Sequence, residues 1–367
     1  MDETLSPLEL DIRRRIEAAG PMPVSQYMRL CLLDPQHGYY TTRNPLGAAG
    51  DFTTSPEISQ MFGELIGIWM AATWRQMGSP ERIRIIELGP GRGTMMSDAL
   101  RAVKVMPAFR AAAVVDLVDV SPTLRAEQQR TLAGASMPLF WHTALDDVPP
   151  GPAIIVANEF FDALPVAQVV KKGNHWHERQ VAIDRDGKFV FAIAADPLPH
   201  FEKLLPPHIR AAADGAILEW RADSPAVEIG RRVMDGGGAA LIIDYGHEES
   251  SVGETLQAVG SHAFADPLSA PGAIDLTAHV DFQALAQAIE STGARTHGPI
   301  MQSQLLRRLG IQTRAATLKA NAGPEGAAAI DGALARLIGF GRSAMGDLFK
   351  ALGAAHPKLG TLPGFDS

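Results

Sequence analysis

The chain has 367 residues, 46% hydrophobic and 20% charged, which excludes a disordered chain and is more than one minimal core requires. Its 41 acids against 33 bases leave a net charge of −8, which argues against a surface that holds nucleic acid by bulk electrostatics. The single cysteine, Cys31, excludes an internal disulfide or a multi-cysteine zinc centre, and between Leu30 and Leu32 it reads as a packing residue.

The opening stretch MDETLSPLELDIRRRIEAAG is charged and has no apolar run, and no stretch of the chain is long and apolar enough to span a bilayer. The expectation is a cytoplasmic protein with no membrane insertion. Ser6-Pro7-Leu8-Glu9 marks a helix start capped by Ser6, and Gly20 marks its end. A second helix is predicted over Val24 to Leu33. A loop rich in Gly and Pro follows, and its His37, Tyr39 and Tyr40 are candidates to line an acceptor channel. A third helix is predicted from a Ser55 cap, with Pro56 in its first turn and Glu57 at its positive end. Its Phe62, Trp69 and Trp74 are assigned to core.

From Arg82 strands alternate with helices. RIRIIEL, AVVDLVDV, LFWH and PAIIVAN are four strands, with helices at about Thr94 to Lys104 and after Pro122. This alternation predicts an α/β fold with a parallel sheet and helices on both faces. After Pro165, AQVVKKGNHWHERQVAID and GKFVFAIA read as inserted antiparallel strands, with Asp186-Gly187 as a hairpin turn. A helix near Pro225 to Met234, a fifth strand GAALIIDYG and a capped helix in HVDFQALAQAIEST come next. QSQLLRRLGIQTRAATLKA and GAAAIDGALARLIGF read as helical, and DLFKALGAAHP as a strand or a short helix.

The chemistry starts at RIIELGPGRGTMM. Gly89, Gly91 and Gly93 leave a strand-to-helix turn whose backbone a ligand can approach closely. The dinucleotide fingerprint needs its third glycine three residues after the second, and counted from Gly91 that place holds Thr94. Glu87 stands just before the turn, where a carboxylate suits a cationic ligand. S-adenosylmethionine carries a sulfonium and an ammonium, and its binding turns follow E-x-G-x-G-x-G. Asp119 closes the second strand, where a carboxylate can accept both ribose hydroxyls. Ser55 and Glu57, at a helix N-terminus, are further donor-binding candidates.

The fourth strand ends in Asn158 and Glu159, followed by Phe160, Phe161 and Asp162. Polar groups at the carboxyl end of a parallel strand face the crevice of an open α/β sheet. An arginine acceptor stays protonated at neutral pH, so its guanidinium must be oriented and one lone pair localised. Carboxylates that clasp the remaining nitrogens do this, and Glu159 and Asp162 are the candidates, with Asn158 as an orienting amide. Asp162 equally suits a turn cap. Asp244, Tyr245 and His247 end the fifth strand at the same edge. His279 is a candidate proton acceptor or, alternatively, the cap of the helix starting near Asp281. His175 and His177 flank Trp176 without further ligands, so no metal is predicted.

GYYTTRNPLGAAGDFTTSPEISQMFGELIGIW, IIELGPGRGTMMSDALRA, ANEFFDALPV, IIDYG and DLTAHVDF, in this order, resemble the MidA-like methyltransferase family, whose mitochondrial members are complex I assembly methyltransferases. The resemblance implies a class I, seven-stranded Rossmann-like methyltransferase with an N-terminal helical region and family-specific insertions. It divides the chain into an N-terminal cap at 1–80, a donor-binding core at 81–164 and 218–300, inserted strands at 165–217, a helical insertion at 301–345, and the last strand and tail at 346–367. The last strand pair would lie at about Ala294 to Ile300 and Leu348 to Ala355. S-adenosyl-L-methionine is the implied donor, with Glu87, Gly89, Gly91, Gly93 and Asp119 at its site and Asn158 and Glu159 at the acceptor edge. The implied reaction is symmetric dimethylation of an arginine on the 49-kDa, NuoD-like subunit of respiratory complex I. The absence of a visible transit segment points to a bacterial member. Two other readings stay open: methylation of a small molecule, and a chaperone of complex I assembly that binds the donor without catalysis. Oligomeric state stays open too, a homodimer included.

Overall fold

Seven strands form the continuous path of the eight-stranded main sheet: β1 (Ile83–Leu88), β2 (Ala113–Val118), β3 (Leu139–His142), β4 (Ala153–Asn158), β5 (Ala239–His247), β6 (Arg295–Met301) and β7 (Phe349–Ala355); the two-residue strand Val280–Asp281 pairs off this path with the end of β5. The computed structural model describes residues 5–42, 54–260, 263–341 and 344–366. The strand order is β6-β7-β5-β4-β1-β2-β3. From β3 to β5 every pairing is parallel, and β7 runs antiparallel to both β5 and β6. A parallel strand covered on both faces must be apolar throughout, and β4 (AIIVAN) is buried at every residue. From β1 the sheet grows one way to β2 and the other way to β4, so the crevice at the strands' carboxyl ends opens between them.

The chain divides into two units. The main sheet belongs to the one spanning Leu46–Phe161, Asp223–Glu248 and Val280–Ser367. Phe62, Trp69 and Trp74 are buried in its core, as expected. The helix Gln60–Gln76 packs against Thr94–Ala102 through Gly63 and Gly67. A Cβ at Gly63 would come 2.7 Å from Asp98 Cβ, and one at Gly67 2.6 Å from the Ala99 carbonyl oxygen. The close approach therefore needs both glycines, and it fixes the helix that follows the glycine turn.

The third predicted helix is two. Ser55–Ile58 is one turn with Thr54, not Ser55, at its N-cap position. Ser59 then turns extended, and its hydroxyl accepts the Met61 N–H at 3.2 Å, capping Gln60–Gln76 afresh. A second capping residue inside an unbroken apolar pattern made the break. Thr53, two residues before Ser55, lies outside the described residues. The helical insertion is Gln302–Arg308, Ile311–Ala320 and Pro324–Ile338, with Gly310 at φ +93° separating the first two. It is pinned by Glu64, which accepts Arg314 Nε at 2.7 Å and Nη2 at 2.9 Å.

The other unit comprises Met1–Pro45, Asp162–Ala222 and Glu249–His279. Its helices Pro7–Ala19 and Val24–Leu33 match the expected ones, and Ser6 Oγ accepts the Glu9 N–H at 3.1 Å. They pack with Val166 and Val181 of an antiparallel sheet. AQVVKKGNHWHERQVAID forms two strands of that sheet, Val166–Lys172 and His175–Ile183. Phe189–Pro197 follows the Asp186-Gly187 turn, and Ile217–Arg221 and the two-residue strand Met22–Pro23 complete the five-stranded sheet. Burial pushes the Cys31 thiol up to about 12, which fits a packing residue. Tyr39 is buried in this core and lines no channel, while Tyr40 donates to Asp275 Oδ2 at 2.8 Å. His37 is exposed. His175 Nδ1 meets Glu202 Oε1 and His177 Nδ1 meets the Ala194 carbonyl, each apart from the other.

Candidate active site

All three glycines of the turn after β1 have positive φ: +62° at Gly89, +54° at Gly91 and +81° at Gly93. L side chains are strained there, so the turn needs residues without Cβ. At Gly89 a Cβ would also sit 3.0 Å from Phe160 Cδ2, so the ring of Phe160 lies directly on the bare backbone. Gly93 is the N-cap residue of Thr94–Ala102, whose free N–H groups and positive dipole end face the crevice end of the sheet.

Glu87 is 2% exposed, and its Oε2 has no hydrogen-bond partner among the described residues. Burial, with the charge of Asp119 behind it, pushes the Glu87 carboxyl up to about 8. An orphaned buried carboxylate oxygen is costly unless a ligand completes it. Asp119 follows β2. Its Oδ1 accepts the Ser121 N–H at 2.8 Å and its Oδ2 accepts Gln128 Nε2 at 2.8 Å. Burial raises its carboxyl above the ordinary value against the pull of those bonds and of Arg125.

At the end of β4 the backbone of Glu159 itself takes φ +50°, a rare conformation for a residue with a side chain. Asp244 of β5 holds that bend. It is fully buried, and its Oδ2 accepts the successive Phe160 and Phe161 N–H groups at 3.2 and 2.9 Å. The Glu159 carboxylate accepts the Ser55 N–H at 2.9 Å and Asn158 Nδ2 at 3.1 Å through one oxygen, Oε1. Asn158 Oδ1 is buried with no partner among the described residues. Glu57 turns to the glycine turn, accepting Thr94 Oγ1 at 2.6 Å and lying 3.5 Å from Arg92 Nη1.

Nine sequence-assigned residues thus fall in this unit: Ser55, Glu57, Glu87, Gly89, Gly91, Gly93, Asp119, Asn158 and Glu159. Asp162 and His279 fall in the other. There the Asp162 carbonyl accepts the Ala278 N–H at 3.2 Å, and Arg221 donates to the carbonyls of Asp162 and His279. The cap of the helix Phe282–Glu290 is Asp281, whose carboxylate accepts the Ala284 N–H, so His279 is not that cap. Sequence reading missed Gln128 and left Asp244 without a role. Asp244 at a strand end was the visible signal, whereas Gln128 is one polar residue among several in AEQQRT.

Two orphaned buried acceptors, Glu87 Oε2 and Asn158 Oδ1, and a cradle of Cβ-less backbone fit a ligand that is cationic and rich in N–H or O–H donors. A parallel sheet entered by one antiparallel strand in this order, with that turn at its switch point, is the fold and site of a class I methyltransferase.

Known proteins agree. The family of S-adenosyl-L-methionine-dependent methyltransferases matches residues 65–300. Protein arginine methyltransferase NDUFAF7 homolog, mitochondrial, of Drosophila melanogaster is 39% identical over 87% of this chain and 78% of that one. Protein arginine methyltransferase NDUFAF7, mitochondrial, of Homo sapiens is 36% identical over 85% and 75%. A Burkholderia thailandensis protein solved with S-adenosyl-homocysteine bound is 28% identical, with a TM-score of 0.83 over 99% of this chain and 96% of that one. The chain belongs to the NDUFAF7, or MidA-like, family and is an S-adenosylmethionine-dependent methyltransferase. Among the described residues no cluster of metal-ligating side chains occurs, and no helix is long and apolar enough to cross a membrane.

Proposed function

We propose that this enzyme is a protein arginine N-methyltransferase that symmetrically dimethylates an arginine of a NuoD-like, 49-kDa-type subunit of respiratory complex I. The names of the relatives above support the arginine acceptor. The observation that carries the reading is Glu159. Its backbone is held in a strained bend at the carboxyl end of β4, and its carboxylate is oriented there by Ser55 and Asn158.

The donor supplies a methyl group activated by the sulfonium. Glu87 and the glycine turn would hold its cationic end, and Asp119 would accept its ribose hydroxyls. Ser55 and Glu57 act from behind, Ser55 on Glu159 and Glu57 on Arg92 and Thr94 of the turn. Glu159 accepts N–H bonds from the guanidinium, which keeps the positive charge on the clasped nitrogens and leaves a lone pair on the attacking one. Asn158 Oδ1 accepts one further N–H and fixes the plane of the group. With a donor bound there, the Glu159 carboxylate would stabilise the charge that the methyl group brings to the attacking nitrogen and would accept the proton that nitrogen gives up, passing it on to water.

The test is Glu159→Gln in the full chain. The donor affinity should stay within about twofold, while transfer to protein falls by about 10²-fold or more. An active Glu159→Gln enzyme would refute the role. The sequence-derived roles of Asp162 as second carboxylate and His279 as proton acceptor are checked in the same assay. Asp162→Asn and His279→Gln should each lower kcat with donor affinity kept, and an unchanged kcat would remove that residue from the reaction.

A further inference from the structure

One buried residue beside Asp119 has no part in the chemistry above. Gln128, in the helix Pro122–Thr131, is fully buried. A glutamine amide brings two N–H bonds and one carbonyl that need partners when buried. Here each has one. Trp141 Nε1–H donates to Gln128 Oε1 at 3.0 Å. Gln128 Nε2 donates to Asp119 Oδ2 at 2.8 Å and to the Gly91 carbonyl at 2.8 Å. An indole N–H is only a donor, so Trp141 decides which end of the amide is oxygen. Both N–H bonds are then committed, one to the carboxylate and one to the glycine turn. The stem of the residue also backs the turn: a Cβ on Gly93 would lie 3.5 Å from Gln128 Cα and 3.6 Å from its Cγ. Ser121 N–H donates to Asp119 Oδ1, so both oxygens of the carboxylate are oriented by protein donors, Gln128 holding the other.

We propose that Gln128 is a positioning residue that aims the Asp119 carboxylate at the donor's ribose hydroxyls and ties it to the glycine turn, with Trp141 setting its amide. The proposal rests on the reading that Asp119 accepts those hydroxyls. If so, Gln128 matters in proportion to the hydroxyls that the ligand offers.

Calorimetric titration of the full chain with S-adenosylhomocysteine and with its 2′-deoxy analogue separates the two layers. The unaltered chain should bind the parent about tenfold more tightly, the worth of one such bond at 1.4 kcal/mol per tenfold. Equal binding of the two ligands would overturn the Asp119 reading and this proposal with it. Gln128→Met, similar in length but without N–H groups, should lose about tenfold in affinity for the parent and little for the analogue. A variant that weakens both ligands equally and still discriminates tenfold would overturn the proposal and leave the Asp119 reading standing. Trp141→Phe keeps Gln128 but frees its amide to turn, and serves if Gln128→Met does not fold. Its discrimination should fall severalfold, and undiminished discrimination would again overturn the proposal.

Discussion

Glu87 makes donor binding depend on pH. Burial holds its carboxyl at about 8 in the ligand-free protein. At pH 7 only about a tenth of the molecules carry the charged form, and at pH 6 about a hundredth. A cationic donor takes the charged form, so its apparent affinity is reduced by that fraction. Affinity should therefore rise about tenfold between pH 6 and pH 7, with about one proton released per ligand bound. Over that interval the amino group of the ligand stays largely protonated and adds little slope. Titration calorimetry with S-adenosylhomocysteine at both pH values, in two buffers of different ionisation enthalpy, reads affinity and proton release together. Glu87→Gln imitates the protonated carboxyl. It should bind more weakly at every pH, with no proton release and no pH slope. An unaltered chain with equal affinity at pH 6 and 7, or a Glu87→Gln chain that keeps the slope, would refute the reasoning.

Stability should show the same group with its sign reversed. The folded-state value of Glu87 is raised from about 4.5 to about 8, so the ligand-free fold binds more protons than the unfolded chain between those values. Its contribution is fully present below about pH 4.5 and is lost as pH rises through 8. The rise in Tm caused by S-adenosylhomocysteine should accordingly be larger at pH 8 than at pH 6, and a smaller one would contradict the sign. Gly89→Ala forces a residue with Cβ into φ +62° and puts a methyl 3.0 Å from Phe160 Cδ2. It should cost about 1–2 kcal/mol in urea unfolding and more than about tenfold in donor affinity, and normal affinity would show that the turn is not the donor's cradle. Arg314→Ala removes two charge-assisted bonds from Glu64, which Arg101 still contacts at 3.2 Å. Urea unfolding should show a loss of about 2 kcal/mol, and a change under about 0.5 kcal/mol would mean that the insertion is held by packing alone.

The sheet was legible in the sequence because its signals are local. RIRIIEL, AVVDLVDV and PAIIVAN are short runs rich in Ile and Val, and the turns between them contain glycine or proline. The last strand was harder, since ALGAA packs as a buried strand only because β5 and β6 flank it. Helix breaks at Ser59 and Gly310 were missed because apolar spacing runs through both, and a cap or a positive φ outweighs periodicity there. In the site, Glu87, Asp119 and the three glycines announce themselves by position at strand ends. Tyr39 sat in a suggestive loop, yet it is core, because a large ring beside Leu8 and Met28 gains more by burial than by lining a channel. Gln128 and the grip of Asp244 on Phe160 and Phe161 depend on contacts 37 and 83 to 84 residues apart, and no local pattern encodes those.

The central claim is transfer of a methyl group to an arginine of a protein. It is tested most directly by incubating the purified chain with methyl-labelled S-adenosylmethionine and lysate of a strain lacking the enzyme. The account predicts label in one protein band, released on acid hydrolysis as symmetric dimethylarginine, and no such label with Glu159→Gln. Label confined to small molecules, or no label from a chain that binds the donor tightly, would contradict it.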